Sequence, residues 1–237
     1  CGPVGEDADA SAHLVGRRID PDTVTRLDLA RVLDRRTATD RLPRWAKHQG
    51  VWWRDSGHRM LVRVWDAEGR FRSVRAWRLV DGSTPKRLPP GGHKASGLVL
   101  ANAEALTMIG GDRIPRRVII AEGEPDFLVN AINHPMLAVI GVLSGSWHAG
   151  FAARIPFGSE VIVRTHIDRA GDKYAAEITA SVRKRAEVRS RRAPLERRQE
   201  AGRRRQAQGR NAPEGSCRGY EDHRRRRAAC SHGPRHA

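Results

Sequence analysis

Three short runs of β-branched and aliphatic residues constrain this fold most, because they contain almost no polar alternation. They cover residues 117–121, 137–141 and 161–165. Strands that present one face to water alternate apolar and polar residues, whereas strands covered on both faces do not. Good helix formers lie between and after these runs, at about residues 125–132, 148–154 and 170–185. The order predicts an α/β fold with an open, doubly wound parallel sheet.

Acidic residues stand at the ends of the first and third runs. Glu122 follows the first run and Asp168 follows the third, and each is followed within three residues by a glycine. Because ligands bind beyond the carboxyl ends of strands in open α/β sheets, we expect Glu122 and Asp168 to lie close together. Carboxylate oxygens suit Mg²⁺, and a glutamate that does not ligate a metal can act as a general acid or base.

The acidic segments resemble the two motifs of the Toprim domain. They read Glu-Gly-Glu-Pro-Asp at 122–126 and His-Ile-Asp-Arg-Ala-Gly-Asp-Lys-Tyr-Ala at 166–175, with Gly141 between them. Bacterial primases, topoisomerases, OLD-type nucleases and RecR-type recombination proteins share this domain, and the resemblance covers about residues 115–185. It implies that Glu122 is the acid/base or a metal ligand and that Asp168 is the main metal ligand. It further implies that Asp126 and His166 are supporting metal ligands and that Lys173 binds a phosphate.

One residue departs from the Toprim pattern. His166 stands where the family has the first aspartate of an Asp-x-Asp pair. Neutral imidazole is a poorer ligand for Mg²⁺ than for Mn²⁺ or other transition metals. Three interpretations stay open: a Mn²⁺ site, a weak Mg²⁺ site held by Glu122 and Asp168, or a site that has lost catalysis.

The region upstream resembles the strand-rich subdomain that precedes Toprim in primases. Alternating strands are predicted at 58–66 and 71–78 with a turn between them, followed by a Pro-Lys segment at 85–90. The resemblance implies a basic groove that holds nucleotide or template phosphates, since the arginine fork binds phosphate oxygens bidentately. Its predicted residues are Arg59, Arg75, Arg78, Lys86 and Arg87. The alternative is a solvated strand face.

Two short helices are expected near the start of the chain, within residues 12–33. Asp20 is a suitable N-cap and Pro21 a suitable first helical residue for the second of them. We expect three tryptophans to serve core packing, with base stacking as the alternative: Trp45, Trp52 and Trp53. Because the chain opens with Cys1 rather than Met, we expect a fragment. Many primases carry a zinc-binding domain before the core, but a single cysteine does not show that one preceded this chain.

Positive charge is concentrated at the C-terminal end. Of the net charge of +17, residues from 183 onward carry 18 Lys and Arg against 6 Asp and Glu. Few large apolar residues accompany them, which predicts disorder. Such a tail would be a nonspecific nucleic-acid tether or the product of a reading-frame change. We also expect a truncated sheet, because a Toprim sheet normally gains a strand where only residues 186–188 stand here.

The predicted organisation has four parts: a helical segment at 1–50, a strand-rich subdomain at 51–112, a Toprim domain at 113–186 and a disordered basic tail at 187–237. No apolar run reaches the length of a membrane span. Three cysteines favour a reducing, cytoplasmic location over a disulfide scaffold.

The two resemblances together imply a primase-like Toprim protein from a phage, plasmid or other mobile element. The expected reaction is nucleotidyl transfer with Mg²⁺ or Mn²⁺, which makes RNA primers from NTPs on a DNA template. A replicative helicase is a candidate partner. Two alternatives remain: a Toprim nuclease of the OLD type, and a catalytically inactive nucleic-acid-binding module.

Overall fold

The structure, a computed structural model, describes residues 1–82, 85–93, 96–143 and 147–190. Its helices are α1 (Ala8–Val15), α2 (Pro21–Arg26), α3 (Ala103–Gly110), α4 (Gly123–Asn133), α5 (Ala149–Arg154) and α6 (Arg169–Val182), with a 3-10 turn at Thr39–Arg41. Its strands are β1 (Arg31–Val32), β2 (Lys47–His48), β3 (Val51–Trp52), β4 (His58–Trp65), β5 (Phe71–Arg78), β6 (Arg87–Leu88), β7 (Val99–Ala101), β8 (Arg117–Glu122), β9 (Ala138–Val142), β10 (Glu160–Arg164) and β11 (Glu187–Ser190).

One mixed sheet organises the described residues. Its strand order is β11-β10-β8-β9-β7-β4-β5-β6, with β1 paired to β4, while β2 and β3 form a separate hairpin. The four strands from β11 to β9 are parallel, and the remaining pairs are antiparallel. Strand β7 joins the two parts, because it pairs with β9 on one side and with Trp65 of β4 on the other. The predicted α/β fold is confirmed, and the predicted domain boundaries before residue 186 stay predictions.

Helices cover both faces of the sheet. On one face Phe127 and Leu128 of α4 share a core with α1, α2 and Ile119 of β8. On the other face Phe151 of α5 and Ile178 of α6 pack with α3 and the opposite side of the same strands. Burial on both sides explains why these strands lack polar alternation. No helix in the described part of the chain is long and apolar enough to cross a membrane.

The expectation of a truncated sheet is wrong. Strand β11 pairs in parallel with β10, with Val161 opposite Val188, and Val188 packs partly buried against the core. A short edge strand is held by backbone hydrogen bonds to a single neighbour, so its side chains carry a weak sequence signal. Residues 187–190 therefore belong to the sheet rather than to the predicted tail. The rest of that tail, residues 191–237, lies outside the described residues.

The predicted N-cap and first residue of α2 and the packing of the tryptophans are confirmed. Asp20 caps α2 by accepting a hydrogen bond from the Thr23 amide at 3.0 Å, and Pro21 is the first helical residue. Trp53 is buried in a small cluster and meets Trp45 edge to face, with 5.4 Å between ring centroids. Core packing is thus confirmed for these two tryptophans, and Trp52 packs partly buried against the same cluster, with Lys47 over its ring.

Helix α4 lies unusually close to β9 at Gly141. A Cβ atom added at position 141 would stand 2.7 Å from the Phe127 Cβ and 3.0 Å from the Leu100 Cβ. Real Cβ atoms do not approach others so closely, and neither neighbouring Cβ can rotate away because both are fixed to backbone. The missing side chain at position 141 therefore sets how near the helix packs to the sheet.

We predict that Gly141→Ala destabilises the protein by about 1–3 kcal/mol, because overpacking forces α4 away from β9. The measurement is the free energy of unfolding in denaturant. Gly2→Ala is the control, since nothing lies within 4 Å of a Cβ added there. Equal unfolding free energies for the two variants would contradict the close packing described here.

Candidate active site

The ends of β8 and β10 bring the two predicted motifs together. These strands pair in parallel with Ala121 opposite Arg164, so the residues that follow each strand share one rim. The backbone amide of His166 donates to Glu122 Oε2 at 2.9 Å. The expectation that both motifs meet at one rim of the sheet is confirmed.

His166 lies between two carboxylates. Its Nε2 atom is 3.0 Å from Asp126 Oδ2, and its Nδ1 atom is 3.6 Å from Glu122 Oε1. An ionised carboxylate only accepts hydrogen bonds, so the Asp126 contact assigns the neutral imidazole proton to Nε2. The Nδ1 lone pair then faces Glu122.

Asp168 contributes to the same rim in a different way. It is the N-cap of α6, and its Oδ1 accepts from the Gly171 amide at 2.7 Å. The side chain in contact with Glu122 is His166. One oxygen of Asp168 is engaged by its own helix, and the predicted close approach of Glu122 and Asp168 stays a prediction.

The predicted metal ligands are adjacent but do not converge. Across residues 1–82, 85–93, 96–143 and 147–190, no three His, Cys, Asp or Glu side chains form a group that would hold a metal ion. The donor chemistry does suit a divalent ion, because Glu122 and Asp126 flank one imidazole. A mixed oxygen and nitrogen set favours Mn²⁺ over Mg²⁺. Metal binding by these residues stays a prediction.

Two of the predicted phosphate-binding arginines reach the first turn of α4. The Arg75 Nε is 3.3 Å from Glu124 Oε1, and the Arg87 Nη1 is 3.3 Å from Glu124 Oε2. Sequence reasoning missed Glu124, because an acidic residue in the first turn of a helix is already explained by the helix dipole. The first turn of α4 therefore contacts the basic strands β5 and β6 and also lies next to the acidic rim.

Arg59 has a structural place instead of the predicted role in phosphate binding. Its side chain is only 3% exposed, lies between Asp7 and Asp9, and donates from Nε to the Leu33 carbonyl at 3.0 Å. The β4–β5 register shifts between His58 and Met60, and such an irregularity breaks the alternation of side chains. Arg59 therefore ties the N-terminal segment to β4 and is not accessible to a phosphate.

The remaining basic residues lie at the surface. Lys86 is exposed and its carbonyl accepts from the Arg78 amide at 3.0 Å, which places both at the β5–β6 edge. Lys173 is 74% exposed on α6, with its Nζ 3.8 Å from Glu177 Oε1. Their positions are compatible with phosphate binding, which stays a prediction for all three.

Comparison with known proteins identifies the fold. No family model and no curated protein matches the chain. The solved zinc-binding and RNA polymerase domains of the Aquifex aeolicus primase match with a TM-score of 0.56 at 18% identity, over 86% of this chain and 55% of that one. A DnaG primase catalytic domain bound to ssDNA matches with a TM-score of 0.55 at 19% identity, over 87% and 74%.

A DNA primase domain from Pseudomonas aeruginosa also matches, with a TM-score of 0.51 at 18% identity, over 84% of this chain and 71% of that one. At these identities the similarity concerns the fold, which is that of DnaG-type primase catalytic cores. The chain spans little more than half of the Aquifex structure.

We predict that Gly171→Ala disrupts the rim. A Cβ atom at position 171 would lie 2.1 Å from the His166 carbonyl oxygen, so the loop must move and the His166–Glu122 hydrogen bond should break. The measurement is the chemical shift and exchange protection of the His166 amide by NMR. Ala176→Ser, at an exposed position of the same helix, is the control. An unshifted, protected amide in Gly171→Ala would contradict the expected displacement.

We predict a pH dependence that comes from His13. Burial, followed by the nearby Arg17 and Arg87 charges, lowers the pKa of His13 to about 4. The unfolded chain binds this proton below pH 6.5 and the folded chain does not, so stability should fall as the pH drops from 6.5 to 4. In His13→Gln the fall over this window should be smaller, as measured by denaturant unfolding. If the stability of the wild type and of His13→Gln fell equally over this pH range, the assignment to His13 would be refuted, because His58 and His134 are present in both proteins.

Proposed function

We propose that this chain is a primase-type Toprim protein, of the kind carried by mobile elements, that joins ribonucleotides on a DNA template. The observation that carries the proposal is the acidic rim of Glu122, Asp126 and His166 beside the basic β5–β6 edge. Both lie on one sheet with the fold of primase catalytic cores.

The similar DnaG domain is described as bound to ssDNA, which supports a DNA template as the partner. Arg78, Lys86 and Arg87 at the β5–β6 edge would contact its phosphates, and Lys173 would contact those of the nucleotide. Phosphate contacts of this kind supply affinity without sequence preference. A replicative helicase remains a candidate partner.

The chemical step we propose uses Glu122 as the general base. The 3′-hydroxyl of the growing ribonucleotide attacks the α-phosphate of an NTP, a new P–O bond forms, and the bond to pyrophosphate breaks. The hydroxyl proton passes to Glu122 Oε1, while the His166 amide holds Oε2 in place. Asp126 orients the imidazole, whose Nδ1 lies 3.6 Å from Oε1 and would stabilise the protonated carboxyl group.

We also propose a divalent cofactor, Mg²⁺ or Mn²⁺. Asp168 would be its main ligand, with Asp126 and His166 in support, and Glu122 would ligate the ion only in place of acting as the base. Mn²⁺ is the better match to this mixed oxygen and nitrogen set. When bound, such an ion neutralises the charge that develops on transferring phosphates.

A second candidate is a nucleic-acid-binding module without catalysis. The observation that favours it is that His166 contacts both Glu122 and Asp126. Because the imidazole occupies the position between the two carboxylates, the site as arranged is already satisfied without an ion.

We predict that Glu122→Gln and Asp168→Asn each reduce primer synthesis by about 10²-fold or more, because each removes a carboxylate charge. Both should fold, since Gln still accepts from the His166 amide and Asn is a good N-cap. The measurement is incorporation of labelled NTPs on single-stranded DNA with Mg²⁺ and with Mn²⁺. Glu6→Gln, an exposed glutamate in the N-terminal segment, is the control.

Unchanged synthesis in both variants would refute the assignment. Cleavage of labelled DNA by the wild-type protein with Mn²⁺ and without NTPs would favour the nuclease. DNA binding with neither synthesis nor cleavage would favour the inactive module.

A further inference from the structure

The Glu124 carboxylate contacts both Arg75 and Arg87 and is more deeply buried than either. Its carboxylate is 4% exposed, while the Arg75 and Arg87 side chains are 18% and 34% exposed. Each carboxylate oxygen faces one guanidinium group at 3.3 Å. The acidic group therefore lies deeper than the two basic groups, which form the surface at the start of α4.

The hydrogen bonding between Glu124 and Arg75 is incomplete. The Arg75 Nε and Glu124 Oε1 atoms are both buried, and neither has a hydrogen-bond partner within the described residues. Buried polar atoms are normally hydrogen-bonded, and strong arginine–carboxylate pairs are bidentate. The contact thus depends on charge attraction without good hydrogen-bond geometry, and an anion with better geometry would compete for the arginines.

Arg87 is held in place by a contact other than Glu124. Its guanidinium group lies over the Trp77 ring, 5.0 Å from its centroid, and Trp77 is buried. The backbone of Arg75 is fixed within β5, opposite Val62 of β4. Loss of the Glu124 charge would therefore leave the Arg87 guanidinium group near its present position, with Arg75 on the neighbouring strand.

We propose that Glu124 masks a phosphate site formed by Arg75 and Arg87, and that nucleic-acid phosphates compete with its carboxylate for these arginines. The three groups together carry a charge of +1, which becomes +2 when the carboxylate is neutralised. The mask thereby limits how strongly polyanions bind beside the acidic rim. The inference rests on the proposed function only for the identity of the phosphate, which is that of template or nucleotide.

A purely structural role for Glu124 predicts the opposite result. If the carboxylate only orients the arginines, its removal weakens phosphate binding. If it masks them, its removal strengthens binding and makes binding more sensitive to salt, since each added phosphate contact steepens the salt dependence. The sign of the change therefore separates the two roles.

The test compares the full chain with Glu124→Gln by fluorescence anisotropy of a labelled single-stranded oligonucleotide over a range of salt. We expect binding tighter by about fivefold at low salt and a log–log salt slope steeper by about 0.7–1.4. Adding Arg87→Gln to the variant should return the slope toward the wild-type value. Glu104→Gln is the matched control, because it removes one charge and releases Arg113 from an ion pair elsewhere.

Inorganic tripolyphosphate is the second probe, and it separates the two proposals. If the wild-type chain does not bind the oligonucleotide, the proposed function fails. Tighter binding of tripolyphosphate by Glu124→Gln than by the wild type would still support the mask. Equal or weaker binding of both probes by a folded variant would overturn it. Should Glu124→Gln not fold, Glu124→Met fills the same space without charge and carries the same expectation.

Discussion

Helix α4 packs closely against β9, and this packing positions the residues of the candidate site. Gly141 removes the one side chain that would hold the helix away from the sheet. The first turn of α4 can then follow directly from β8 and still reach β5 and β6. The end of β8 places Glu122 beside His166, and the first turn of α4 places Asp126 beside His166 and Glu124 beside the arginines. Close backbone packing is thus what couples the acidic rim to the basic strands.

Charge balance distinguishes this site from a simple carboxylate cluster. On the rim, an imidazole lies between Glu122 and Asp126. In the neighbouring turn, a buried carboxylate lies beneath Arg75 and Arg87. The two rim carboxylates are therefore partly satisfied by an imidazole, and the two arginines by a buried carboxylate. Ligands that bind here, whether ions or phosphates, must compete with these internal contacts as well as with water.

Much of the fold and part of the site were predictable, and the misses have physical causes. Buried parallel strands can be recognised in the sequence, because burial on both faces removes the alternation of apolar and polar residues. The position of the acidic rim followed from the order of these strands. Strand β11 was missed because an edge strand needs few apolar residues. The role of Arg59 was missed because its partners Asp7 and Asp9 lie 52 and 50 residues away in the chain. Glu124 was missed because its partners are 49 and 37 residues away in the chain.

The α/β class, the Asp20 cap of α2 and the meeting of the two acidic motifs could be predicted from the sequence, because they follow from hydrophobic pattern and local hydrogen bonding. Three features became apparent only in the folded protein: His166 contacts Glu122 and Asp126, Asp168 caps its own helix, and Arg59 is buried among carboxylates. Those outcomes depend on distances between segments far apart in the chain. Pairing of charges is set by such distances, whereas residue type alone specifies only which pairs are chemically possible.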